Sequence, residues 1–474
     1  MKPSRPIIVV LAISLISLIG VQLRADSRPN IVVILCDDLG YGDLECYGHP
    51  HIKTPHLNRL AEDGIRFTDF YAAAPVCSPS RVGLMTGRSP NRAGVYDWIP
   101  PGKDVHLRSS EVTLAQLLQQ SDYATCMSGK WHCNGKFNSP DQPQPNDAGF
   151  DHWFGTQNNA SPSHANPQNF VRNGKPVGPL EGFSCQIVVD EALTWLDGQQ
   201  AENPQQPFFM YLAFHEPHEP VASPPDLVDR YRTVARSEDE AQYFANVANV
   251  DAAVGKLMAG LKAQGVDENT LVIFTSDNGP ETLLRYPRSQ RSFGTADPLR
   301  GMKLWTTDAG FRVAGIMRWP AQIAAGQVVK QPVSSLDFLP TFCELAGSTP
   351  PADLRLDGTS FLPALRDELI ERNKPLLWAY YAALNERQIA MRDGDWKLLA
   401  RLNIPKTRTI DRSNESQIKG ATLSGFQLFN VTEDISESND LAASHTDKLA
   451  ELTRRMKTHY RELLNGSHVW AADG

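Results

Sequence analysis

The sequence predicts an α/β fold: a large mixed, mostly parallel sheet sandwiched by helices, with a smaller C-terminal α+β subdomain carrying an antiparallel sheet and a terminal helix. Three observations predict it. Four short apolar runs each end in polar residues. Segments with helix signals separate those runs. Beyond about Glu371 the texture changes to short alternating strands punctuated by turns.

The apolar runs are Ile31–Cys36 before Asp37-Asp38, Thr125–Ser128 before Lys130 and His132, Phe208–Phe214 before His215 and His218, and Leu271–Ser276 before Asp277-Asn278. Continuous apolar strands separated by helices imply a parallel sheet covered on both faces. Between them, Thr54-Pro55 opens a helix that Gly64 closes. Thr113–Gln120 carries an amphipathic pattern, and Ser237-x-x-Glu240 is a capping box starting a long helix toward Leu261. Residues 134–182 form a Pro/Asn/Gln/Gly-rich stretch of little periodicity, the kind of long irregular segment that is usually functional. Near the C-terminus, Leu377–Tyr381, Gln388–Arg392, Trp396–Leu402 and Phe426–Asn430 read as short antiparallel strands with Asp-Gly turns, and Asp447–Leu463 as a last amphipathic helix. The expected division is a catalytic domain over 26–370 and the subdomain over 371–474. Ligands of open α/β sheets bind beyond the carboxyl ends of the strands. All four runs deliver their polar residues there, which points to one shared site.

Composition sets outer bounds. The 474 residues, 41% hydrophobic and 21% charged, suit a globular protein with a large core and room for a second domain. Lys2 and Arg5 precede an apolar run from Ile7 to Leu23, so residues 1–25 read as a signal peptide with cleavage after Ala25, and the chain as exported to a periplasmic, lysosomal-type or extracellular space. Leu23 fits the small-residue cleavage rule poorly, and an uncleaved membrane anchor is the alternative. A net charge of −8 argues against nucleic acid as a partner. Seven cysteines (36, 46, 77, 126, 133, 185 and 343) are too few for a disulfide framework in a chain this long, and their pairing cannot be deduced.

Asp37, Asp38, Asp277 and Asn278 are hard oxygen donors at strand ends. Three carboxylates and an amide suit Ca2+ or Mg2+ rather than zinc or copper. His49, His51 and His56 have no tight ligand spacing and read as a surface loop. The stretch Cys77-Ser78-Pro79-Ser80-Arg81 follows Tyr71–Val76 and precedes Val82-Gly-Leu-Met-Thr-Gly87. Pro79 fits the first turn of a helix, whose N–H groups would then point toward position 77 and favour an anion.

With Asn30–Asp38, Gly129-Lys-Trp-His132, Glu216-Pro-His-Glu-Pro220, Ser276-Asp-Asn-Gly279 and Gly301-Met-Lys303 following in order, the chain resembles the type I, formylglycine-dependent sulfatases of the alkaline phosphatase superfamily, from about Pro29 to about Ala443. The resemblance implies that a formylglycine-generating enzyme converts Cys77 to Cα-formylglycine (3-oxoalanine). One hydroxyl of the hydrated aldehyde attacks sulfur, and loss of a proton from the other expels sulfate, which is covalent catalysis with a built-in release step. It implies further that Asp37, Asp38, Asp277, Asn278 and position 77 hold one divalent ion, usually Ca2+, with Mg2+ possible. Arg81, Lys130 and Lys303 become the sulfate clamp. His132 takes the hydrate proton, and His218, together with Lys303, protonates the leaving alcohol, with His215 as rival. Asn159 corresponds loosely to a sulfate-contacting position, so the substrate-binding set is Lys130, His218, Lys303 and Asn159. Arg312 follows Asp308-Ala309-Gly310-Phe311 where the family reads Glu-Gly-Gly-x, a conservative departure that touches local packing.

Substrate is less legible. The loop Asn146–Asn173, rich in amides and carrying His152, Trp153 and His164, suits a sugar and equally a solvated loop. Arg285, Arg288 and Arg291 could receive further sulfates or carboxylates, against the plainer reading of a solvated surface. The first expectation is a hydrolase of sulfated saccharides. The alternatives are an aryl-sulfate scavenger, a phosphodiester or phosphonate hydrolase of the same superfamily, and, from another class, an inactive sulfated-sugar binder in which Cys77 stays a thiol. The sugar, the sulfate position, endo or exo action and the oligomeric state stay open.

Overall fold

The structure is a computed structural model that describes residues 28–282, 285 and 289–471; the expected signal peptide and Arg288 lie outside the described residues. The larger sheet is built from β1 (Asn30–Asp37), β2 (Ile65–Tyr71), β3 (Ala124–Lys130), β4 (His152–Thr156), β5 (Val171–Arg172), β6 (Lys175–Pro176), β7 (Phe208–Pro217), β8 (Thr270–Ser276), β9 (Arg312–Arg318), β10 (Gln327–Val329) and β11 (Val333–Ser334). Its order is β10-β2-β9-β8-β1-β7-β3-β4-β5-β6, with β11 also pairing β2. The centre is parallel: β1 runs parallel to both β7 and β8, and β3 to both β7 and β4. The antiparallel pairs flank it, with β9 between β8 and β2 on one side and β4-β5-β6 on the other.

Helices α1 (Pro55–Glu62), α2 (Cys77–Thr86), α3 (Pro90–Ala93), α4 (Leu114–Gln120), α5 (Ser184–Glu202), α6 (Pro225–Tyr231), α7 (Glu238–Ala263) and α8 (Phe338–Leu345) cover the sheet. The strand period of two splits β1 between two cores. Ile31, Val33 and Leu35 pack with residues of α2, α4 and α8 on one face; Val32, Ile34 and Cys36 pack with α5, α6 and α7 on the other. Both faces are buried, so the run carries no polar alternation. Thr113 and Gln116 close a reciprocal capping box on α4. Ser237 accepts from the Glu240 N–H as the capping box predicts, but the Glu240 carboxylate turns back to the Arg236 backbone and guanidinium instead of completing the box.

The antiparallel sheet β12 (Leu376–Ala379), β13 (Ile389–Asp393), β14 (Trp396–Leu402) and β15 (Leu423–Asn430) follows in sequence order, with α9 (Glu415–Lys419) inserted and α10 (Thr446–Asn465) packed on it. Gly394 at φ 58 makes the Asp-Gly turn between β13 and β14. Trp378 seals this sheet to the larger one: its ring stacks on Phe311 at 4.1 Å, and its indole N–H donates to the Ala72 carbonyl at 2.9 Å. Beside it lies a buried charge cluster. Asp308 receives Lys397 at 2.6 Å, Arg312 at 3.1 Å and the Tyr71 hydroxyl at 3.1 Å; Asp69 receives Arg312 at 3.0 Å and Arg392 at 3.1 Å; Glu437 receives the Asp308 N–H at 2.6 Å and Lys397 at 3.0 Å. Arg312 thus bridges two acids of the larger domain, and Arg392 and Lys397 of the small sheet tie those acids to it. All seven cysteines are unpaired, and no helix among the described residues is long and apolar enough to cross a membrane.

Candidate active site

The four predicted strand ends converge. Asp37 closes β1, Lys130 closes β3, Asp277 and Asn278 follow β8, and His218 follows β7. Because β1 lies between β7 and β8 in register, Cys36 faces Ser276 across the strand pair, and the polar residues that follow emerge side by side. Asp38 takes a left-handed backbone, φ 65, which turns the chain sharply after β1. Gly129, at φ +111, sits where a Cβ would lie 1.9 Å from the Ala213 carbonyl oxygen, so β3 can approach β7 closely just before Lys130. Cys77 is the first residue of α2, and the first turn closes from Ser80 N to Val76 O. Arg81, one turn on, is fully buried.

Ion pairs knit these groups together. Arg81 donates to Asp277 at 2.8 and 2.9 Å and to the Lys130 carbonyl at 2.8 Å. Lys130 pairs with Asp37, and Lys303 with Asp38 at 2.8 Å. The Asn278 amide donates to Asp38 at 2.7 Å and to the Gly279 carbonyl at 2.8 Å. Two oxygens remain unmatched: Asp37 Oδ1 and Asn278 Oδ1 are buried without a hydrogen-bond partner. Ligand atoms of Asp37, Cys77 and Asp277 lie within 4.8 Å of one another. Buried polar atoms without partners are rare in native proteins. A hard divalent cation would satisfy both oxygens, and the donors are all oxygen apart from the thiol. Burial and then the neighbouring Asp37 carboxylate push Asp277 up to about 7. Burial acts the same way on Asp37, but Lys130, His218, Arg81 and Lys303 outweigh it and hold that carboxyl well below its usual range. Asp277 thus lacks the compensation that Asp37 has, and a bound cation would supply it.

The histidines differ in what they offer. His132 meets the Ile99 carbonyl through Nε2 at 3.1 Å, so Nε2 carries the proton and Nδ1, buried without a partner, carries the lone pair. Burial, then the charges of Lys130 and Arg81, pushes His132 well below the usual imidazole range. This is a neutral base. His218 meets the Glu219 carbonyl through Nδ1 at 2.6 Å and turns Nε2 toward Asp38, 3.6 Å away. Burial takes His218 down to about 4 against the opposing pull of Asp37 and Asp38. His215 is buried, with Nε2 on the Thr156 hydroxyl at 2.8 Å and its ring against Phe170. Of the two rivals, only His218 lines the cleft. That cleft, about 470 Å3, is walled by Cys77, His132, His218 and Lys303 and extends past Asn159. Burial pushes the Cys77 thiol up to about 11, which makes it a poor nucleophile as a thiol.

Comparison with known proteins decides the family. Residues 29–348 match the family model "Sulfatase", and residues 302–417 match "N-sulphoglucosamine sulphohydrolase, C-terminal". The chain belongs to the sulfatase family. It is a sulfuric ester hydrolase. Human (Homo sapiens) arylsulfatase A is 36% identical over 383 residues, 74% of this chain and 70% of that protein. N-acetylgalactosamine-6-sulfatase of Rattus norvegicus is 35% identical over 376 residues, 73% of this chain and 68% of that protein. Among solved structures, Ps i-CgsB in complex with k-i-k-neocarrahexaose aligns with a TM-score of 0.79 and 30% identity, over 94% of this chain and 95% of that one.

In this sulfatase the structure brings together Asp37, Asp38, Cys77, Arg81, Lys130, Asp277, Asn278, His132, His218 and Lys303, and places Asn159 on the cleft wall. The amide-rich loop is different. Trp153 and His164 are buried, Trp153 against Phe137 and His164 on Asn246, while His152 pairs with Glu191 at 2.9 Å. Those rings hold the irregular segment onto the sheet and do not form a sugar platform. Arg291 is spent on Asp239 and the Val221 carbonyl; Arg285 reaches the cleft. Sequence reasoning missed Asp97, Trp98, Asn158, Tyr380 and Arg408, which line the same cleft. The one signal that could have pointed to some of them is the adjacent acid and aromatic at Asp97-Trp98, in a loop soon after the Cys77 helix.

Proposed function

We propose that this sulfatase hydrolyses sulfate monoesters on carbohydrates and releases inorganic sulfate. The observation that carries the reading is the cleft lined by Cys77, His132, His218 and Lys303, beside buried carboxyls where one Asp37 carboxylate oxygen and the Asn278 amide oxygen stay unmatched. Converted to formylglycine by a formylglycine-generating enzyme and hydrated, position 77 supplies an oxygen nucleophile with a second hydroxyl for release. Asp37, Asp38, Asp277 and Asn278, with position 77, would hold Ca2+ or Mg2+, which supplies positive charge against sulfate oxygens.

The chain's own groups do the rest. Arg81 fixes Asp277 and the Lys130 carbonyl, and so holds α2 against the ends of β3 and β8. Lys130 and Lys303 place fixed cations around the sulfate, where charge redistributes in the transition state. His132 accepts a proton at Nδ1, with Nε2 pinned by Ile99. His218 with Lys303 delivers a proton to the leaving oxygen, since both line the cleft beside Asp38 and the negative charge of a bound sulfate ester would raise His218 above the value of about 4 that burial sets. Asn159 contacts the substrate from the opposite rim. A carbohydrate substrate is supported by the similarity to N-acetylgalactosamine-6-sulfatase and to a structure that holds an oligosaccharide. Residues 1–25 would direct export.

The test has two arms. Peptide mass spectrometry across Cys77 reads the conversion directly. Hydrolysis is then compared on a sugar sulfate, 4-nitrophenyl sulfate and a phosphodiester under matched conditions. The expected result is a converted Cys77 and the highest kcat/KM on the sugar sulfate. A faster phosphodiester rate would move the enzyme to the phosphoester branch; a purely thiol Cys77 in active protein would overturn the nucleophile.

A further inference from the structure

The mouth of the cleft is built by two separate parts of the chain. From the larger domain come Asp97 and Trp98, in the loop after α3. From the C-terminal sheet come Tyr380, just past β12, and Arg408, in the segment between β14 and α9. Asp97 organises them. Its side chain is 4% exposed; one oxygen accepts from the Tyr380 hydroxyl at 3.0 Å and the Trp98 backbone N–H at 2.9 Å, and the other meets Arg408 Nε at 3.2 Å. The Arg408 side chain is 70% exposed. Its contact with Asp97 uses Nε, one of five N–H donors on a planar fork that matches carboxylate and sulfate oxygens. At another lining residue, Arg285, the arrangement repeats. Glu281, 4% exposed, lies under Arg285, whose side chain is 25% exposed. In each pair the acid is buried and the guanidinium faces the cleft. A ligand therefore meets positive charge at the mouth, although the chain as a whole carries −8. Trp98, 36% exposed and next to Asp97, adds a large open ring.

We propose that Arg408, held by Asp97 beside the Trp98 ring, forms a subsite for a second anionic group on the saccharide, one that accompanies the sulfate being cleaved at position 77. The ring takes the sugar face and the fork takes the anion, a sulfate ester or a uronate carboxylate. The subsite rests on the reading of the cleft as a sulfate-ester site. It makes the C-terminal sheet a direct contributor to substrate choice, and it favours substrates with anions on neighbouring positions over singly sulfated ones.

The experiment uses the full active chain, with 4-nitrophenyl sulfate as reporter. Competing ligands are size-matched oligosaccharides of three kinds: singly sulfated, multiply sulfated without uronate, and singly sulfated with uronate. In wild type, at least one of the two multi-anionic kinds should compete more tightly than the singly sulfated one, and which kind does identifies the anion. In Arg408→Gln that advantage should shrink on the order of 10- to 100-fold, the scale of a charge-assisted hydrogen bond. Arg408→Lys should restore part of it, with the effect in apparent affinity more than in kcat. Arg401→Gln, an exposed site on β14 paired only loosely with Glu386 at 3.7 Å, serves as the control that changes neither. Thermal melts of all variants exclude a folding defect. Equal competition by all three kinds in wild type, or an undiminished advantage in Arg408→Gln, overturns the subsite. Failure of wild type to release sulfate from any ester would instead overturn the proposed function.

Discussion

Two buried charge clusters in this molecule contain the same ingredients and do opposite things. At the strand ends, Asp37, Asp38 and Asp277 meet Arg81, Lys130 and Lys303. At the junction of the two sheets, Asp69, Asp308 and Glu437 meet Arg312, Arg392 and Lys397. Asp277 and Asp308 are both fully enclosed, yet burial and a neighbouring carboxylate force Asp277 up to about 7, while at Asp308 Lys397, Arg312 and Arg392 overcome burial and drive the carboxyl far below its usual range. The difference is geometric. Around Asp308 the cations surround the acid, and each carboxylate of the cluster has a cation within 3.1 Å, although burial, against the pull of Lys397, pushes Glu437 up. Around Asp277 acids crowd acids, two oxygens point at nothing, and one side opens on a cleft. The junction cluster is a fastener; the strand-end cluster is incomplete without guests. A divalent cation would leave it with surplus positive charge, which a sulfate ester then meets.

Substitutions can break or sharpen that contrast. The largest effect is expected for Cys77→Ser, which should lose multiple turnover down to background, because a lone hydroxyl has no partner hydroxyl to expel sulfate. Sustained turnover by this variant would remove the basis of the proposed mechanism. Asp277→Asn, which keeps an oxygen acceptor for buried Arg81 while removing the charge, should lose divalent-ion binding and activity together while the melting temperature holds. Metal analysis of active wild type should find Ca2+ or Mg2+ and not zinc. His218→Ala should cut hydrolysis of sugar sulfates by roughly 10²–10⁴-fold, the usual worth of general acid catalysis, and spare 4-nitrophenyl sulfate, whose leaving group needs little help. Equal losses on both substrates would shift the proton to Lys303 alone. Asp308→Ala should do the reverse of Asp277→Asn: it leaves buried Lys397, Arg312 and Arg392 with only Asp69 and Glu437 against them, costing about 3–5 kcal/mol in denaturant unfolding with the residual activity of the folded fraction intact. If both aspartate variants destabilised alike, the distinction between fastener and incomplete site would collapse. Ser237→Ala, remote from both clusters, should cost about 1 kcal/mol as the loss of one helix cap and nothing in catalysis.

What the sequence revealed follows the same line. Asp37, Asp38, Lys130, Asp277 and Asn278 were legible because each sits after an apolar run and the fold carries such positions to one edge, whereas Lys303 came only from the family resemblance. Cys77 to Arg81 was legible because its cysteine, proline and arginine match the pattern of the family the chain resembles. Trp153 was open to misreading because a ring in an amide-rich loop looks the same in sequence whether it turns outward or, as here, in against Phe137. Arg408 was invisible because nothing within its own segment marks it; its partner Asp97 lies about three hundred residues earlier, and only the docking of the two sheets brings them within 3.2 Å. The junction cluster stayed hidden for the same reason, apart from Arg312, since Asp69, Lys397 and Glu437 are distant in sequence and unremarkable alone.

The position of β1 between β7 and β8 also sets a clock on biogenesis. Ile31 pairs with Phe209 and with Leu271, so the first strand of the fold waits for partners made some two hundred residues later. Sheets closed by such distant pairings form slowly, because chain entropy is lost before contacts reward it. Until β7 and then β8 have left the ribosome, β1 lacks its neighbours on each side, and Asp37 and Asp277 belong to no common site. Assembly of the strand-end cluster is therefore a late event in the life of the chain, and the period before it is when an emerging polypeptide is most exposed to aggregation and most in need of a chaperone.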